Sequence, residues 1–372
     1  MSGDWSAQVE ALRERASECE AGEAKVKLLE EAVRLTDTHG AVDLAYEVRN
    51  ELIDAATFGG FPDKALVAFA WCRGQQKKNP ERYNAEELLW KQKWVVGRLN
   101  EFPHINRKQI RDALDDLEQC FQRADGGKRA VLKLRYHAAR DMGDEAEAAA
   151  LCSRWLEAPR DYLTDCRACE LDDELNPLLD AGDWARAVDK ARPLLDGRIG
   201  CAEVPHLTYG TLLYAFFKLG RLEEARDCHV GGYRLVAQNR EFLATVGEHL
   251  EFLALTGNLS RGLSLLERHL GWALDHASHR DRFGFHCAAR LLLERVRNDG
   301  RNEVTLRLPQ AFPLFEPEGT YETRALLDWA DAQAQGIATK FDTRNGTPRF
   351  QKLMERSRNL VNEARPFPID AA

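Results

Sequence analysis

The chain has 372 residues, 44% hydrophobic and 30% charged, enough apolar material for a sizeable core and too much for a collagen-like or disordered class. Its 52 Lys and Arg against 60 Asp and Glu leave a formal charge of −8, so no general attraction to nucleic acid or anionic lipid is expected. The first twenty residues hold no apolar run, and no stretch reaches the roughly 18 apolar residues of a membrane span, so a cytoplasmic chain with reduced cysteines is expected.

Helix signals dominate up to about residue 300. In KVKLLEEAVRLT the residues Val26, Leu28, Leu29, Ala32, Val33 and Leu35 gather on one face with charges between them, and ALDDLEQCF, ARAVDKARPLL and LSLLERHLGWAL repeat that pattern. The intervals between helices are short, which makes antiparallel neighbours. A linker recurs in which Gly is followed five positions later by a small residue: GFPDKA from Gly60, GDEAEA from Gly143, GDWARA from Gly182, GRLEEA from Gly220 and GNLSRG from Gly257. The last four glycines follow one another by 39, 38 and 37 residues, and the 83 residues from Gly60 to Gly143 leave room for one more pair. Gly22 precedes Gly60 by 38. A period of this length predicts stacked helix pairs, because a lone helical hairpin has one apolar face too many.

These residues resemble the tetratricopeptide repeat (TPR) family, whose unit carries Gly at the turn, Ala five residues on and a further small residue in the second helix. The best copy is LTYGTLLYAFFKLGRLEEARDCHVGGYRLV, with Tyr209, Phe216, Gly220, Ala225 and Gly232 in register. The resemblance covers about residues 5–298, with a period longer than the family's 34 or so. It implies an all-α, right-handed alpha-alpha superhelix; a HEAT-like array is the competing architecture. Two regions are expected, TPR-like repeats over 1–298 and a C-terminal cap over 299–372. In the cap, EVTLRLP alternates Val304, Leu306 and Leu308 as a short strand or extended linker, and AFPLFEPEGTY is rich in Pro and Gly. Two helices, near 322–340 and 348–363, follow and are separated by FDTRNGT. That segment is similar to one near the C-terminus of uncharacterised bacterial, especially actinobacterial, TPR proteins. Asp342 and Asn345 read as turn and capping residues, since Asn-Gly marks a turn and Thr347-Pro348 a helix start.

The sharpest chemical constellation is TDCRACE followed by GRIGCAEVPH, that is Cys166, Cys169, Cys201 and His206. Cys-x-x-Cys lets two thiolates converge on zinc, and a third thiolate with an imidazole completes a closed tetrahedral site. The first pair opens one repeat and Cys201 and His206 open the next, so a structural zinc clasp between two repeats is expected; Asp165 is an alternative fourth ligand. Reduced packed thiols and a redox dithiol remain open as competing readings. The other six cysteines read as ordinary thiols. His276, His279 and His286, with Asp275 and Asp281, superficially offer metal ligands but read better as a charged helix boundary. Basic residues cluster in RGQQKK, WKQKW and KRAVLKLR, and only WKQKW interleaves aromatics.

No Walker-type phosphate loop, GxGxxG, HExxH or GxSxG occurs, so no enzymatic mechanism has a foothold in a motif. The family resemblance implies that the first helix of each repeat lines a concave groove. Counting from the turn glycines places Lys133, His137 and Arg140, then Asp172 and Asn176, then Tyr214 and Lys218, then Glu251 on that lining, with Tyr214 or Phe217 as an apolar anchor. A non-enzymatic scaffold that binds a peptide or protein partner is therefore expected, and the Lys133, His137 and Arg140 trio suits an acidic partner. A regulator that binds a small molecule or nucleic acid is the alternative.

Overall fold

The computed structural model describes residues 5–369, and these are almost entirely helical. They fall into two compact units, one running up to Thr164 together with Asn239–Glu241, the other comprising Asp165–Gln238 and the chain from Phe242 onward.

The first unit contains α1 (Trp5–Glu18), α2 (Glu23–Thr38), α3 (Val42–Phe58), α4 (Pro62–Lys78), α5 (Leu89–Arg98), α6 (Arg107–Arg123), α7 (Lys128–Met142) and α8 (Glu145–Glu157). Each helix packs on its chain neighbour. Gly60 and Gly143 end the first helices of their pairs with φ of 83° and 75°, a left-handed conformation that costs glycine nothing, and Ala65 and Ala148 are buried five residues later. The 83-residue gap is filled by α5 and α6, whose connection uses no glycine. There Asn106 caps α6 by accepting from the Gln109 amide, while the Gln109 side chain returns to the Asn106 amide. At the end of α8 the buried Arg129 donates to the carbonyls of Trp155, Leu156 and Ala158, the first of which also accepts from the Ala158 amide.

The second unit contains α9 (Arg167–Asp173), α10 (Asn176–Asp180), α11 (Trp184–Leu195), α12 (His206–Lys218), α13 (Leu222–Val236), α14 (Leu243–Leu255), α15 (Leu259–Asp275) and α16 (His279–Asn298). In α11 the buried residues Ala187, Val188, Ala191 and Leu194 form one stripe, as its sequence predicts. Gly182, Gly220 and Gly257 all have φ near 75°, and Ala187, Ala225 and Gly262 are buried against the partner helix. Space at the small positions is tight: a Cβ on Gly262 would sit 2.5 Å from Leu292 Cδ1, and one on Gly232, the further small residue of its hairpin, would sit 2.5 Å from Tyr209 Cβ. Alternate helices α12, α14 and α16 pack side by side, the arrangement by which successive hairpins cover each other's apolar faces.

The cap region resolves one open reading and departs from its sequence reading in two further respects. β1 (Glu303–Thr305) is a true strand, because the Pro- and Gly-rich stretch returns as β2 (Thr320–Glu322) and pairs with it antiparallel, Val304 opposite Tyr321. Val304, Leu306 and Leu308 are buried, as their alternation indicates. The next helix, α17 (Thr323–Asn345), does not stop at Lys340 but absorbs most of FDTRNGT. Phe341 is fully buried and stacks on Phe350 at 4.2 Å, which rewards another turn of helix, and Gly346 at φ 69° ends it. Helix α18 (Arg349–Asn359) is shorter than expected and passes into a 3₁₀ turn, Leu360–Glu363. Asp342 does act as a cap, although across the turn: its carboxylate accepts from the amides of Phe350 and Gln351 at 2.8 and 3.0 Å. Asn345 is wholly buried.

Candidate metal centre and binding face

Helix α9 begins at a cysteine cap. The Cys166 sulfur accepts from the Cys169 amide at 3.4 Å, which fixes the first thiol at the helix start and turns Cys169 to the same side. Between α11 and α12 the loop folds back. The Ile199 amide donates to the Pro193 carbonyl and the Cys201 amide to Val204, while Val204 and Ile199 pack with Ala168, Leu171 and Leu194. This brings Cys201 Sγ to 3.5 Å from Cys169 Sγ, and all three sulfurs lie within 4.8 Å of one another. Four ligands at about 2.3 Å around zinc place sulfurs about 3.8 Å apart, so the three thiols fit such an ion.

Burial works against ionisation of Cys166, yet the amides of Cys169 and Ala168 and the neighbouring thiols donate to it, and its pKa falls below the usual value. Cys169 moves the other way, raised by burial and by the proximity of Cys201 and Cys166. The crowding of three thiols therefore disfavours their ionising together unless a cation neutralises them. The contrast with Cys72, Cys228 and Cys287 is chemical, since burial raises each of those thiols to about 12.

His206 is not brought into the group. As the first residue of α12 it turns back on Phe242, with the rings stacked at 5.8 Å, so the expectation of a His206 ligand is corrected. Burial depresses its pKa. Nor does Asp165 join the three cysteines. The sequence-level histidine group also stays apart: His276 accepts from the Ser278 amide, His279 lies 3.1 Å from the Ala277 carbonyl oxygen, and His286 is buried against Trp329.

The predicted binding residues divide. Lys133 is buried in its own unit, and His137 sits beside the rings of Tyr136 and Trp155, with Arg140 half-buried one turn further on. The basic and aromatic stretch WKQKW is likewise folded inward: Lys91 pairs with Asp54, and Lys93 is buried over the Trp90 ring while donating to the Leu163 carbonyl. In the second unit Asp172 accepts from Thr208 at 2.5 Å, and Asn176 opens α10. Tyr214 and Lys218 converge on a single carboxylate, donating to Glu363 at 3.0 and 2.8 Å. The Arg356 guanidinium covers the Tyr214 ring at 5.0 Å, and Arg365 covers Phe217 at 5.2 Å. Burial pushes the Glu251 carboxyl up to about 7, with Arg356 pulling against it.

The segment after the 3₁₀ turn then runs extended across the end of α14. The amides of Arg365 and Phe367 donate to the carbonyls of Leu255 and Thr256, each at 2.9 Å. Asn258 clasps the same segment, donating to the Phe367 carbonyl at 2.9 Å and accepting from the Ile369 amide at 3.0 Å. Those helix-end carbonyls lack partners within α14, and the extended segment satisfies them. Sequence reasoning found Tyr214 and Lys218 but not their partner Glu363.

A second group was missed. His229 and His249 meet Nδ1 to Nδ1 at 3.1 Å, and His269 Nε2 lies 2.9 Å from the Tyr233 hydroxyl, all inside the helix core. Burial drives His229 down to about 4 and His269 and His286 to about 3, and holds His249 well below its ordinary value. The signal available was their position on otherwise apolar helix faces. Among the described residues, no helix is long and apolar enough to cross a membrane. The chain matches no known protein family, and no curated protein matches it.

Proposed function

We propose that this chain is a non-enzymatic interaction scaffold, a TPR-like right-handed superhelix of helix pairs that binds an extended peptide carrying a carboxylate. The observation that carries the reading is the chain's own segment 363–369, seated on Tyr214, Lys218 and the α14 end by two backbone bonds, the Asn258 clasp and one shared carboxylate. Main-chain pairing supplies affinity and the Glu363 contact supplies direction, as in other extended-peptide recognition. Tyr214, Lys218 and Glu251 remain the proposed contacts, whereas Lys133 and the expected anchor Phe217 are too buried to reach a partner.

A labelled peptide of sequence LVNEARPFPI, matching residues 360–369, tests this when added to the full chain. It should bind a Glu363→Lys, Arg365→Glu variant, whose own segment is loosened, and binding should vanish when Lys218→Glu is added. Absence of binding to the loosened variant sinks the proposal.

Zinc on Cys166, Cys169 and Cys201 belongs to the same proposal as a structural clasp. It would tie the loop before α12 to the start of α9, where the apolar cluster is small. Nothing comparable supports a nucleic-acid ligand, because Lys91 and Lys93 are both engaged inside the first unit.

A further inference from the structure

We infer that a metal ion held by Cys166, Cys169 and Cys201 keeps its fourth coordination position open to solvent, where it takes one neutral nitrogen donor of the imidazole class. The inference rests on the zinc reading above and departs from a closed clasp. Among the described residues the three thiols form a group with no fourth His, Cys, Asp or Glu inside the same 4.8 Å. Cys166 and Cys201 are exposed and Cys169 only half-buried, so an ion bound by all three sits at the surface.

The imidazole that the spacing suggests cannot swing in cheaply. His206 is stacked on Phe242, and it belongs to the first turn of α12, where the Leu207 and Tyr209 amides already donate to Glu203 and Pro205. On the other side the loop is anchored by Val204 and Ile199, which hold Cys201 in place without drawing α12 along. Three protein ligands with a fourth site left free is the pattern of exchangeable rather than purely structural zinc. The charge balance selects the donor: three thiolates already give a divalent ion a net charge of −1. A neutral nitrogen therefore adds to the site more easily than a fourth anion. The same thiolate charge blunts the ion's ability to acidify a bound water, so ligand capture suits the site better than hydrolysis.

Cobalt(II) titrated into the reduced full chain reads both parts of this inference. Thiolate-to-cobalt charge-transfer bands should appear at one ion per chain, and affinity should fall by more than about tenfold in Cys169→Ser and in Cys201→Ser. Added imidazole should then shift the ligand-field bands and saturate at one per chain, while His206→Ala leaves the spectrum unchanged. A spectrum blind to imidazole but altered by His206→Ala or Asp165→Ala means that the fourth donor is internal, which overturns the open position and leaves the three-thiolate site standing. No cobalt uptake, or uptake undiminished in both serine variants with helical circular dichroism intact, overturns the metal site and the inference with it.

Discussion

Helices α12 to α16 and the segment from α9 to α11 are built on the same repeat, yet they are held in different ways. In the former, Phe216, Leu250, Phe252, Phe285 and Leu292 belong to one continuous core. In the latter, the first helix is broken into pieces of seven and five residues, the second of which buries none, and its loop rests on a small separate cluster. The three thiols gather there and nowhere else among the described residues. Where the core is continuous the buried Cys228 thiol is inert; where the helix is broken and the apolar cluster small, coordination chemistry can supply what packing does not.

The comparison is sharpest under acid. The buried His229, His249, His269 and His286 are neutral when folded and take up protons near pH 6.5 when unfolded, so stability is full above 6.5 and is lost as pH falls toward their folded values. Glu248 and Glu251 oppose this, since burial raises both and they bind protons in the folded state before the unfolded chain does. More histidines than carboxyls are shifted, so stability falls on acidification below pH 6.5, by about 1.4 kcal/mol per pH unit for each proton the unfolded chain binds in excess. Urea unfolding at stepped pH, followed by amide exchange in α13 to α16, should show this; a flat profile would break the assignment of the histidines as neutral.

Removing packing comes next. Phe216→Ala empties a fully buried site and should cost about 3–5 kcal/mol in the denaturation midpoint. Leu171→Ala, in the small cluster beneath the thiols, should cost about 2 kcal/mol, and equal losses at the two sites would erase the distinction drawn here.

Metal loading should act on the weaker segment alone. Zinc at a hundredfold excess over its dissociation constant adds about 2.7 kcal/mol, lost on chelation, and exchange protection should change in residues 166–171 and 197–205 with α14 unaffected. The smallest effect is at the peptide face. Lys218→Ala removes a partly exposed ion pair to Glu363 and should cost under about 1 kcal/mol of stability while speeding exchange of the Arg365 and Phe367 amides.

Much of this architecture is readable from local sequence because its determinants are local. Gly at a left-handed turn and a small residue five positions on each answer to steric demands within one hairpin, so Gly182 with Ala187 and Gly220 with Ala225 are visible without any tertiary knowledge. Clustering of Cys166, Cys169 and Cys201 is legible for a similar reason, being set by one helix start and one loop. The failures are long-range. Nothing near Thr320 announces a strand until β1 lies beside it, and Lys340 ends a helix on paper because the Phe341 to Phe350 stack depends on a chain reversal. His206 has the right spacing for a ligand, but the direction of its ring is decided by Phe242, 36 residues away. The contact of Glu363 with Tyr214 spans 149 positions and has no local signature.

The contact between His229 and His249 has a consequence for proton order. Two Nδ1 atoms at 3.1 Å share one hydrogen, so the rings must adopt opposite tautomers. His249 Nε2 is buried with no partner, and an unmet acceptor is tolerated more readily than an unmet donor. His249 therefore carries its hydrogen on Nδ1 and His229 carries its own on Nε2. Nitrogen NMR would find two neutral imidazoles frozen in different isomers, so that the core of an all-helical protein contains a single oriented N–H···N bond with a definite sense along the chain.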